Sequence, residues 1–134
     1  MSRPRVRRAV VVASVVGGCV SAVLGACATT RDGVIARTPY ATLSVVSANG
    51  ARSLRLDPVA GAKINARLRP TLQLSNGERL MFHADSLTAD SSYFTQSPTV
   101  ALTGNGPTSG TLMASVCPES ARVCLRVRMD ISLP

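Results

Sequence analysis

The chain is 134 residues long, 46% apolar and only 16% charged, with a formal charge of +8. That is at most one domain once a targeting segment is subtracted, and it is too apolar for a disordered tail. Aromatic residues make up 3% with no Trp, which excludes a base-stacking surface, and one His with four Cys leaves little for metal chemistry.

The first 26 residues read as an address. Arg3, Arg5, Arg7 and Arg8 stand without an acid, and Ala9 to Ala26 then runs uncharged for 18 residues, ending at Cys27. A basic start, an apolar stretch and a small-residue exit have the form of a secretory signal. The stretch is at the short edge of a membrane span and is diluted by Ser14, Gly17, Gly18, Ser21 and Gly25. Leu24-Gly25-Ala26-Cys27 resembles the lipobox of bacterial lipoproteins. In that family the Cys takes a diacylglycerol, the signal is cut just before it, and the new N-terminus is acylated. The resemblance implies a signal peptide over 1–26 and a membrane anchor at Cys27, held by three acyl chains where one alone is marginal. Val16-Gly17-Gly18-Cys19 has a similar form but leaves an apolar stretch of only eight residues, so Cys27 is preferred. Ala28, not Asp, follows Cys27, which resembles the pattern for sorting to the outer membrane, facing the periplasm. The competing readings are an ordinary signal with a leftover Cys, and an uncleaved helix.

Without the four arginines of residues 1–26 the net charge falls from +8 to +4. Half of the basic excess is export signal, so nucleic acid is not an expected partner.

Residues 27–40 are expected to form the lipidated Cys and a flexible, aperiodic tether. Strand alternation takes over at Ala41 and continues to the C-terminus, defining a domain over 41–134. Ala41–Ser47 is β-branched and half apolar, Asn49-Gly50 is a hairpin signal, and Leu54 and Leu56 share a face opposite Arg55. Leu72 and Leu74 alternate before a second turn at Asn76-Gly77, and Leu80 and Phe82 return from it. Ala84–Pro98 lapses into Asp, Ser and Thr as a long loop or irregular edge containing Tyr93-Phe94. Thr99–Thr103 is a short strand, and Gly104–Gly110 is a loop. Leu112, Ala114 and Val116 share one face, and Val123 to Leu133 alternates without a break. The nearest helical candidate, Pro58–Leu68, is weakened by Gly61. About seven short strands separated by turns predict an all-β, small antiparallel β-sandwich.

Cys117 and Cys124 remain beside the lipid Cys, six residues apart in between. In an exported chain they are expected to form a disulfide. Each is out of phase with its strand's core residues, so both are expected to face away from the core at the mouth of one hairpin. Closing so short a loop removes only about 2.5 kcal/mol of chain entropy from the unfolded state. A bridge on an accessible side could also exchange with an incoming thiolate. Both readings, staple and exchange site, stand at this point. The site lacks the Cys-x-x-Cys at a helix start that lowers a thiol pKa in thioredoxins.

Further residues carry a resemblance. Gly61-Ala62-Lys63-Ile64-Asn65, then Pro70 with an alternating strand, then Gly110-Thr111-Leu112 running into Cys117 and on to Cys124-Leu125, are similar to the N-terminal periplasmic domain of the DsbD-type thiol–disulfide interchange proteins. The likeness covers about residues 41–134. It implies an immunoglobulin-like sandwich in which Cys117 and Cys124 form a redox pair, serving a thioredoxin-like protein partner, with no cofactor. That family shields its cysteines with an aromatic cap loop, for which Tyr93 and Phe94 are the candidates here; as residues alone they read equally as core or edge aromatics. The membrane and thioredoxin portions of the interchange protein have no counterpart in this sequence.

His83-Ala84-Asp85 is too slight for a hydrolase triad, and no zinc ligand set or phosphate loop is present. The expectation is a lipid-anchored, extracytoplasmic thiol–disulfide exchange domain. The alternative is a non-catalytic envelope lipoprotein or protein-binding module with a structural disulfide.

Overall fold

The computed structural model describes residues 31–134; the expected signal over 1–26, the lipobox Cys27 and residues 28–30 lie outside the described residues. The first strand, β1 (Arg31–Arg37), falls where a tether was expected. It pairs antiparallel with β2 (Ala41–Ala48), and its register shifts between Val34 and Ala36. That irregularity places Ile35 and Ala36 together against the core and breaks the two-residue period, which hides the strand from a reading by alternation. The folded domain therefore begins before residue 41.

Asn49 and Gly50 both take positive φ, 52° and 78°, the type I′ geometry that matches strand twist. They join β2 to β3 (Ala51–Pro58) in an unbroken register from Ala41↔Pro58 to Ala48↔Ala51. Leu43, Leu54 and Leu56 on this hairpin are fully buried. The weak helical candidate Pro58–Leu68 holds turns and a three-residue strand, β4 (Ala62–Ile64). β5 (Thr71–Leu74) and β6 (Arg79–Met81) form the second hairpin. There the Gly77 N–H reaches the Leu74 carbonyl at 3.0 Å and the Leu74 N–H reaches Glu78 at 2.8 Å, with Gly77 at φ 90°. This is a three-residue loop closed by a glycine bulge. β7 (Thr99–Leu102), β8 (Thr108–Pro118) and β9 (Leu125–Leu133) complete the fold.

The strands form two antiparallel sheets. One runs β1-β2-β3-β7; in the other, β8 pairs with β9 along one edge and with β4 and then β5 along the opposite edge, and β6 lies beyond β5. Leucines of the first sheet face Ile64, Leu72, Phe82, Leu112 and Val116 of the second in one core. The protein is a small antiparallel β-sandwich, and there is no helix among the described residues. Among the described residues seven of the nine strands match the expected segments, and β1 and β4 are additional.

The second sheet explains Gly110. It pairs with Leu74, and a Cβ there would run into the Gln73 carbonyl oxygen and sit 3.0 Å from the Leu74 Cα. Only glycine lets β5 come this close.

Candidate functional site

The site grows from the β8–β9 hairpin. Along β8, Leu112, Ala114 and Val116 are buried; along β9, Val127, Met129, Ile131 and Leu133 are. Val116 pairs with Leu125 as the last rung of the ladder, so the next residues outward are Cys117 and Cys124. They form a disulfide, with Cα atoms 4.0 Å apart. Cys117 is half-buried and Cys124 is exposed. Val123, expected to begin the strand, is 67% exposed in the connecting loop.

The next strand over supplies a cation. β4 pairs Lys63 with Cys117, so Lys63 and Cys117 stand side by side on β4 and β8, with Cys124 beyond them just before β9 begins. The Lys63 ammonium is 3.9 Å from the Glu119 carboxylate and 5.8 Å from the centroid of the Tyr93 ring, a cation–π arrangement. Lys63, Tyr93, Cys117, Glu119, Arg122 and Cys124 line a shallow concavity of about 210 Å³.

Each residue of the Gly61–Asn65 stretch has a physical role here. Gly61 takes φ 76°, and its carbonyl accepts from the Glu119 N–H at 2.7 Å, tying β4 to the loop between the cysteines. Ala62 is half-buried against the core, Lys63 lines the concavity with the two cysteines, and Ile64 fills the core. The Asn65 side-chain oxygen accepts from the Arg67 and Leu68 N–H groups at 2.9 and 3.1 Å, an Asx turn that redirects the chain toward β5.

The two cap candidates part company. Tyr93 bridges to Asn65 and lines the concavity at the disulfide. Phe94 donates its N–H to the Ile64 carbonyl at 3.1 Å and is buried in the core, so it caps nothing. The turn that presents Tyr93 is fixed by Asp90. Its carboxylate accepts from the Thr88 hydroxyl at 2.6 Å and the Ser92 N–H at 3.1 Å, and these bonds hold its pKa down to about 2. The Thr88 hydroxyl in turn accepts from the Tyr93 N–H at 3.1 Å.

His83 meets Arg69 through its Nδ1 at 3.2 Å, not Asp85, so the hydrolase constellation does not assemble. Among the described residues no three of His, Cys, Asp and Glu gather into a metal-holding cluster. Lys63 was visible in the sequence, but its place beside Cys117 was not, because a three-residue strand paired across about 50 residues leaves no local period to read.

The fold and site define a small β-sandwich with one solvent-facing, cross-strand disulfide flanked by a lysine and a tyrosine. Comparison with known protein families, characterised proteins and solved structures finds no match to this chain.

Proposed function

We propose that this is a lipid-anchored, extracytoplasmic thiol–disulfide exchange domain that uses Cys117 and Cys124. The observation that carries the reading is the asymmetry of the bridge: Cys124 is exposed while Cys117 is half-buried beside Lys63. A partner thiolate reaches the Cys124 sulfur along the S–S axis and forms a mixed disulfide with it. The electron pair of the broken S–S bond leaves on Cys117 as thiolate, next to the Lys63 ammonium. The partner's second thiolate then attacks its own sulfur, releasing Cys124 as thiolate. Two electrons have passed from the partner dithiol, now a disulfide, to this pair; an oxidised acceptor takes them by the reverse steps. A thioredoxin-like dithiol protein is the partner chemistry this requires. The likeness to DsbD-type N-terminal domains in the Gly61–Asn65 stretch and around the cysteines supports the reading, as does a tyrosine beside the bridge. The lipobox supports anchoring through Cys27, at the outer membrane on the periplasmic side.

One observation favours a second reading, a non-catalytic envelope module. The bridge closes the open end of a hairpin that is already paired along nine residue pairs, and a staple there needs no chemistry.

The reduction potential separates the two. Equilibration of the full-length protein in glutathione and dithiothreitol buffers is expected to give a value above about −300 mV, and the Cys117→Ser variant is expected to trap a mixed disulfide through Cys124. A value well below that, with no trapped species, leaves only the structural staple. For the anchor, Cys27→Ser is expected to abolish lipid labelling and free the protein from membranes.

A further inference from the structure

The outer face of the second sheet is a second, larger concavity of about 570 Å³ that abuts Cys124. Arg69, Arg79 and Arg126 line it and no carboxylate does. Among the described residues none of these three arginines lies within ion-pair distance of an acid; Arg69 meets the His83 ring at 3.2 Å and Arg79 donates to the Gln73 amide oxygen at 3.3 Å. Between the cations lie two aliphatic side chains left in solvent, Leu68 at 65% and Met113 at 44% exposure. Arginine and methionine are enriched where one protein receives another.

The strand order fixes the size of the occupant. From Arg79 on β6 to Arg126 on β9 the face crosses β5 and β8, three strand spacings, and Arg79 lies in the row of Thr111 while Arg126 lies in the row of Ser115, four residues further along β8, so the two stand about 20 Å apart. That is the length of about six extended residues. The charge fixes its sign. The concave shape, with Met113 set among Thr71, Gln73, Thr111 and Ser115 and arginines around them, suits a chain segment that offers both backbone hydrogen bonds and side-chain carboxylates.

We infer that this concavity seats a short, extended, acidic peptide segment bearing aliphatic side chains, presented by the protein whose thiol attacks Cys124. The last clause rests on the exchange reading above; the binding of the acidic segment does not. Arg126 stands two residues from Cys124 on the same face, so a segment lying across Arg79 and Arg126 brings its neighbouring thiol to the exposed sulfur.

The test uses the full-length oxidised protein and a fluorescent hexapeptide of alternating Glu and Leu, with a Lys–Leu peptide of the same length as control. Binding is read by anisotropy and mapped by amide chemical shifts. Saturable binding of the acidic peptide is expected, with shifts at Met113, Arg79 and Arg126. The paired variant Arg79→Glu/Arg126→Glu is expected to weaken it about tenfold or more, and rising salt to weaken it progressively. A cysteine-bearing version of the acidic peptide is expected to open the bridge faster than the lysine version. Equal affinity for the two peptides, or shifts elsewhere, overturns the inference. So does arginine-dependent binding to anionic phosphatidylglycerol vesicles with no saturable peptide binding, which makes the face a lipid-contact surface. If small dithiols open the bridge but the acidic peptide does not bind, the groove fails and the exchange reading survives. If the peptide binds through the arginines while no thiol opens the bridge, the groove stands and the exchange reading fails.

Discussion

Lys63 stands directly opposite Cys117 across the β4–β8 pairing, and the disulfide lies on the other side of Cys117. The pairing is fixed by features with no redox purpose of their own: the positive φ of Gly61, the buried Ile64, and the Asn65 turn. The backbone thus sets Lys63 opposite the half-buried cysteine, the one that leaves in the proposed exchange. Glu119 opposes it at 3.9 Å, so the local field is a small difference between a lysine and a glutamate.

Replacing Lys63 by Met keeps the length and removes the charge. The departing Cys117 thiolate then loses a neighbouring cation, and opening of the bridge by dithiothreitol is expected to slow. An exposed ion pair is worth at most about 1 kcal/mol, so the slowing is about two- to fivefold, larger at low salt. Stopped-flow reduction at two ionic strengths reads this; an unchanged rate removes Lys63 from the chemistry.

Gly110→Ala tests the sheet beneath the site. The added Cβ meets backbone, the Gln73 carbonyl and the Leu74 Cα, neither of which can rotate aside. β5 must move from β8, and overpacking of this kind costs about 1–3 kcal/mol. Urea unfolding is expected to show a lower midpoint with an unchanged slope.

How far the sequence could be read depended on the range of each contact. The Asn49-Gly50 and Asn76-Gly77 hairpins, the leucine faces and the outward phase of Cys117 and Cys124 are local, and period and turn chemistry expose them. β1 was hidden by its irregular register, and β4 by its three-residue length. The neighbours of the disulfide were hidden for the same reason. Tyr93 and Lys63 arrive through a strand and a bridge that join distant segments, and adjacent aromatics in a loop carry no sign of which one turns inward.

Asp90 gives the Tyr93 turn a pH dependence whose sign follows from its depressed pKa. The folded turn binds the ionised form through Thr88 and Ser92 and holds the pKa at about 2, below its value of about 4 in an unfolded chain. Its contribution is therefore complete above about pH 4 and is lost as pH falls from there through about 2. Amide exchange at Ser92 and Tyr93 is expected to stay protected at pH 5 and to weaken between pH 4 and 2, relative to the core strands. In Asp90→Asn the change in that window is expected to vanish; persistence of it there assigns the loosening to another group.

Tyr93 and Phe94 are adjacent in sequence, yet they answer different questions. Phe94 fills the core, so Phe94→Ala leaves a cavity and is expected to lower stability by about 3 kcal/mol. Tyr93 is half-buried outside the core cluster, lines the concavity at the disulfide and lies 5.8 Å from the Lys63 ammonium, so Tyr93→Ala removes little from the core. What it removes is cover. Alkylation of the reduced cysteines by iodoacetamide, normalised to the unfolded protein, is expected to rise in Tyr93→Ala while the unfolding free energy from urea titration changes by less than about 1 kcal/mol. A Phe94→Ala protein at low temperature, where it is still folded, is expected to alkylate like the parent. If both variants expose the sulfurs equally, the tyrosine shields nothing, and the concavity at the disulfide is simply the shape of the hairpin's end.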